Sequence, residues 1–109
     1  MKKAGKGTGS IRDKETFKAR VHDWSVRLKV KPSQVRMQKM RNKWASCSIR
    51  KCVSFSEDLL KEPQDFQKYV IVHELLHLRV PNHGKLFTSL MSLYLPGWED
   101  IANGSERQL

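Results

Sequence analysis

Acidic residues are scarce in the first half of this chain: residues 1–51 hold three against sixteen lysines and arginines, +13, whereas residues 52–109 hold eight against five, −3. The front half is therefore a polycation, and any macromolecular partner it has through residues 1–51 is anionic: nucleic acid, weakly bound, or an acidic surface. A solubilising face on a small basic protein explains the same charge equally well. Cysteine is almost missing too. Cys47 and Cys52 are too few for a disulfide scaffold, lack the C-x-x-C spacing of a structural zinc site, and are read as idle thiols. No apolar run approaches the ~18 residues that span a bilayer, so membrane insertion is not expected. The basic start, MKKAGKGTGSIRDKE, has no apolar stretch behind it, which excludes a secretory signal and leaves a cytoplasmic location as the expectation. No internal repeat is present, and 109 residues suffice for one small core and one site.

Against this background the apolar residues are ordered. Phe17, Val21, Trp24 and Leu28 recur at helical steps, predicting a docking helix from about Asp13 to Lys29. Past Pro32, Val35 and Met37 alternate with polar neighbours as on a half-buried strand, and WASCS and CVSFS, joined by the basic IRK, read as a short hairpin. SEDLLKEPQD reads as a turn with one helical turn in it, and Pro63 suits the first position of the next helix, about Gln64 to Arg79. A further helix runs from about Gly84 to Tyr94, stopped by Pro96 and Gly97, and WEDIANGSERQL is left as an irregular or partly helical tail. The layout is α+β, with about three helices and a small three- to four-stranded sheet, antiparallel or mixed. The expected division is a flexible basic leader over residues 1–12, a domain over 13–96 and a tail over 97–109.

The chemistry lies in YVIVHELLHLRVPNHGKLF, residues 69–87. His73 and His77 stand one turn apart on one helix face, with β-carbons ~5–6 Å apart, which lets two imidazoles grip one ion. Glu74, about 100° round the helix, flanks that ion rather than ligating it. Tyr69 to Leu78 leave no broad solvated face, so the helix is expected to be buried. Two imidazoles and a carboxylate there cost several kcal/mol unless paired or metal-bound. A third ligand is needed. On a continuous helix His83 would lie ~9 Å further along and point away, but Pro81 lacks an N–H, clashes with the carbonyl of His77 and pushes Val80 out of the helical region. The chain can then turn back, and His83 is favoured over Glu99, the competing acid, which follows the Pro96–Gly97 interruption. His22 reads as a surface residue.

Three histidines leave zinc's fourth position for water, the arrangement of a catalytic site. One zinc ion is the expected cofactor. The reaction is peptide hydrolysis through a zinc-bound water, with Glu74 as general base, and Tyr94, Tyr69 and Asn82 are candidate oxyanion donors. The spacing also fits the metzincins, but Val80 stands where they place glycine, and Met91 falls inside a helical pattern.

From about Met37 to Asp100 the chain resembles the YgjP-like small zinc metallopeptidases, the minigluzincins, themselves similar to the catalytic domains of HtpX and prenyl-protein endopeptidases. The segments that carry the likeness are KWASCS, YVIVHELLHL, NHGKLF and LPGWED, with Ala45 where the family usually has glycine. The resemblance implies a minimal zincin-like domain with His73, His77 and His83 as ligands and Glu74 as base. It puts Trp44, Ala45, Ser46, Cys47 and Ser48, or the hairpin partner of that stretch, in the role of an edge strand that binds peptide or unfolded protein. It also implies that the tail, with Glu99, Asp100 and the terminal carboxylate, can lie in the cleft and keep the enzyme latent. NHGKLF is also similar to a segment of SprT-like proteases, which keeps a zinc-stabilised nucleic-acid-associated protein as the rival reading. Metal-dependent nucleotide hydrolysis is a third.

Overall fold

The structure is a computed structural model that describes residues 13–103, without the side chain of Asn103. The expected leader, residues 1–12, and residues 104–109 lie outside the described residues.

Helix α1, Lys14–Leu28, buries the stripe Phe17, Val21, Trp24 and Leu28. Its ends sit where the sequence put them. Asp13 caps the first turn by accepting from the Thr16 amide (3.1 Å) and hydroxyl (2.8 Å). At the other end Lys29 turns left-handed (φ 60°), and the amides of Lys29 and Val30 bond to the carbonyls of Val26 and Ser25. That pair of bonds is the Schellman arrangement, with buried Val30 closing it apolarly.

Strands β1 (Gln34–Gln38), β2 (Ala45–Cys47) and β3 (Cys52–Ser56) form one sheet in the order β1-β3-β2. The hairpin β2–β3 is antiparallel, and β1 runs parallel to β3, so the sheet is mixed. Register follows burial: Val35 and Met37 lie opposite Val53 and Phe55, and Ala45 faces Phe55 from the other side. These residues form the inner face, where Phe55 meets Phe17 edge-on at 5.3 Å.

A 3-10 turn, Glu57–Lys61, follows, and the Gln67 side chain donates to its Leu59 carbonyl (2.7 Å) and to that of Glu62 (3.1 Å). Helix α2, Gln64–Leu76, then crosses the inner face of the sheet, and Tyr69 through Leu76 are all buried. Pro63 occupies the cap rather than the first helical position: its ψ of 155° is extended. Helix α2 also ends three residues before the expected Arg79. His77, whose carbonyl the ring of Pro81 would strike in a continued helix, is the cap. The amides of His77, Leu78 and Arg79 instead close tighter bonds to Glu74, Leu75 and Leu76.

Helix α3, Lys85–Tyr94, buries Phe87 and Met91. Leu95 to Trp98 make a turn with Pro96 second and Gly97 third; the third position needs the positive φ (85°) that glycine adopts freely. A fourth helix, α4, Trp98–Asn103, stands where the sequence suggested an irregular or partly helical segment. Trp98, Ile101 and Ala102 pack on the core, so the packed body continues past residue 96.

Candidate metal centre and cleft

The end of α2 and the reversal after it bring three imidazoles together. One ligand atom from each of His73, His77 and His83 lies within 4.8 Å of the other two. The Nε2 atoms of His77 and His83 are 2.9 Å apart, and the three ring centroids are 4.6 to 5.1 Å from one another. His77 has left the α-helical ladder, but its φ and ψ (−62°, −19°) are still helical, so the one-turn relation to His73 survives. Glu99 is exposed on α4 and outside the cluster, and His22 is exposed on α1.

Two of the rings are oriented from behind. His73 Nδ1 lies 3.1 Å from Glu74 Oε2, both residues being buried. His77 turns its Nε2 to His83, and the Pro81 backbone beside its ring favours a proton there. An N–H held at Nδ1 leaves the Nε2 lone pair to a metal, the usual logic of a histidine ligand and its hydrogen-bonded neighbour. Burial, followed by the neighbouring His73, pushes the His77 pKa below its ordinary value, which keeps the ring neutral. Tetrahedral zinc with Zn–N of ~2.0–2.1 Å places ligand nitrogens roughly 3.3 Å apart. The cluster brackets that spacing, and its donor set of imidazoles suits zinc.

Phe87 is the residue that sequence reasoning passed over. Its ring, 2% exposed, lies 5.2, 4.8 and 4.8 Å from the rings of His73, His77 and His83, so one apolar plate backs all three. The signal was present: Phe87 is one turn after His83 and begins the buried stripe Phe87–Met91 of α3.

Beside the cluster a cleft of ≈ 480 Å³ opens between β2 and α2, and Glu74 and His77 are in its wall with Ala45, Ser46, Cys47 and Ser48 opposite. Trp44 is turned away from it, buried and edge-on to Phe66 at 5.0 Å. Among the described residues β2 pairs on one side only. The Ser56 amide donates to the Trp44 carbonyl, and the Ser48 amide to the Cys52 carbonyl. Alternation along an antiparallel ladder then gives Ser46 to β3 and turns the amides and carbonyls of Ala45 and Cys47 outward to the open edge. Burial, and after it Glu74, raises the Cys47 thiol pKa, so Cys47 is a protonated wall residue.

Of the candidate oxyanion donors, Tyr69 packs on His73 (5.8 Å) and stacks on Trp98 (6.4 Å, 8°), with burial and Glu74 raising its pKa. Tyr94 sits edge-on to Trp24 at 6.4 Å, and Asn82 is exposed in the reversal.

A family profile described as the YgjP-like metallopeptidase domain matches residues 10–104. Comparison with curated proteins gives no match. Among solved structures, the metallopeptidase zymogen jannalysin of Methanocaldococcus jannaschii is similar, with a TM-score of 0.72 and 23% identity over 81% of this chain and 91% of that one. The zymogen abylysin of Pyrococcus abyssi gives 0.73 and 17% over 85% and 98%. These likenesses show a shared α+β fold.

Proposed function

Because the chain belongs to the YgjP-like metallopeptidase family, we propose that it is a zinc endopeptidase in which His73, His77 and His83 hold the metal and Glu74 is the general base. The observation that carries this reading is the convergence of three imidazoles beside a cleft walled on one side by Glu74 and on the other by a strand edge that no other described strand pairs with.

An extended substrate adds to β2 through the outward amides and carbonyls of Ala45 and Cys47, which fixes its backbone and tolerates many side chains. When bound, the metal supplies Lewis-acid polarisation of the peptide carbonyl and lowers the pKa of the attacking water. Glu74 Oε2 is engaged by His73, so Oε1 takes the proton from that water and passes it to the leaving amine. Phe87 excludes water from the back of the imidazole cluster. Latency is extended to this chain from the neighbours solved as zymogens, with the residues that follow α4 as the restraining segment.

Glu74→Gln tests the assignment. It should leave zinc-induced stabilisation in place, about 2.7 kcal/mol at a hundredfold excess of free zinc over Kd, while peptide cleavage falls at least ~10²-fold. Cleavage that survives the substitution removes Glu74 from the mechanism, and loss of zinc binding makes it a structural partner of His73 instead.

A further inference from the structure

The wall of the cleft carries more than a strand edge. Lys43 precedes β2 and Lys51 closes the hairpin after it, so both line the cleft at the two ends of the edge that would receive a peptide. Among the described residues the one carboxylate lining the cleft is that of Glu74, buried and engaged with His73. Among the described residues the ion pairs are Lys14–Glu57 and His73–Glu74. Both cleft lysines are exposed and offer their charge to whatever enters.

Lys51 has a second peculiarity. It stands at φ 66°, closing a hairpin in which its amide bonds to the Ser48 carbonyl and the Ser48 amide to the Cys52 carbonyl, both at 2.9 Å. A three-residue hairpin loop of this kind puts its last residue in the left-handed region, where glycine costs least. A lysine is held there nonetheless. The Ser33 amide bonds to the Lys51 carbonyl at 2.9 Å, and the Ser33 hydroxyl to that of Arg50 at 2.6 Å, tying the hairpin end to the segment before β1. The backbone of Lys51 is therefore fixed relative to the edge, and a conformation that favours glycine is occupied by a charged residue at the mouth of the cleft.

We propose that the cleft selects acidic peptide segments, with Lys43 and Lys51 as specificity-determining residues that pair with aspartate or glutamate on either side of the strand-adding core. The proposal rests on the peptidase reading and gives it a substrate class. A peptide is favoured over nucleic acid because the cleft offers backbone pairing groups and has no aromatic side chain in its wall for bases to stack on.

The test uses the zinc-loaded full chain and two peptides with one common core, flanked by acidic residues in one and basic residues in the other. At low salt the acidic peptide should have the larger kcat/KM, by about tenfold, with the ratio shrinking as salt screens the pairs. Lys43→Glu combined with Lys51→Glu should invert the ratio. Lys51→Gly should lower it while leaving the melting temperature unchanged or higher, since glycine relieves the left-handed position, which separates loss of selectivity from loss of fold. Equal rates for the two peptides, or a ratio that survives the double charge reversal, overturns the proposal and leaves the peptidase reading standing. If the full chain cuts neither peptide, the chain cut after Asn103 is assayed in the same way; if that form also cuts neither, the peptidase reading fails, and fluorescence anisotropy of both peptides on Glu74→Gln decides the lysines separately: preference for the acidic one supports them, equal binding overturns them. An oligonucleotide of equal charge that displaces the acidic peptide at equal or lower concentration also overturns the proposal by making the site a general polyanion surface.

Discussion

His77 occupies a position where burial and two neighbouring imidazoles all oppose a positive charge, with Glu74 and the Pro81 carbonyl opposing them less strongly. Its folded pKa lies below the ordinary 6.5, so on acidification the unfolded chain takes up a proton before the folded one does. Stability of the metal-free protein is then fully present above that value and falls as pH drops through it toward the folded pKa. Thermal melts of metal-free protein between pH 8 and pH 5 should show this decline, and His77→Gln should flatten it. A decline unchanged in the variant would place the titration elsewhere. The convergence of the imidazoles was legible because H-E-x-x-H sets His73 and His77 on one helix face by geometry alone and a proline between His77 and His83 announces a reversal. Trp44, which the resemblance puts with the edge strand and whose residue type favours the core, is buried against Phe66 on α2, a contact that the sequence does not announce.

Among the elements, the exit from α2 matters most, because it decides where His83 points. Pro81→Ala restores an amide that can bond to the His77 carbonyl and continue the helix. A continued helix would carry His83 ~9 Å along and away from the other rings. Zinc affinity measured by chelator competition should fall by at least about tenfold, the scale of losing an orienting neighbour. Unchanged affinity would assign the reversal to the Val80–Leu76 bond (2.8 Å) and its neighbours instead of the proline. Helix α1 could be read to within a residue because its stripe, its Asp13 cap and its Lys29 stop are all local. The parallel pairing of β1 with β3 could not, since β2 intervenes in sequence yet lies outside both in space. Helix α4 was half-legible: Pro96–Gly97 marks the turn, but the helix is supported by Trp98 stacking on Tyr69, a contact between residues distant in sequence.

On the scale of the whole molecule, charge and tail set the remaining expectations. The described part of the basic half supplies both lysines of the cleft wall. No helix among the described residues is long and apolar enough to cross a membrane. Because α4 belongs to the packed body, a test of latency should cut after Asn103 and keep Trp98 on Tyr69. That shortened chain should cleave an unfolded polypeptide faster than the full one, and equal rates would free the last residues of a restraining role. A cut at Pro96 would confuse the result, since each kcal/mol lost lowers the melting temperature of so small a domain by about 4–8 °C. Distant parts of the chain are also joined at one further point. Arg79, in the reversal that returns His83, donates to the Leu28 carbonyl at the end of α1 at 3.0 Å. The first helix adds no imidazole to the cluster, yet it latches the loop that carries His83, so whatever loosens that helix from the body also frees the third ring.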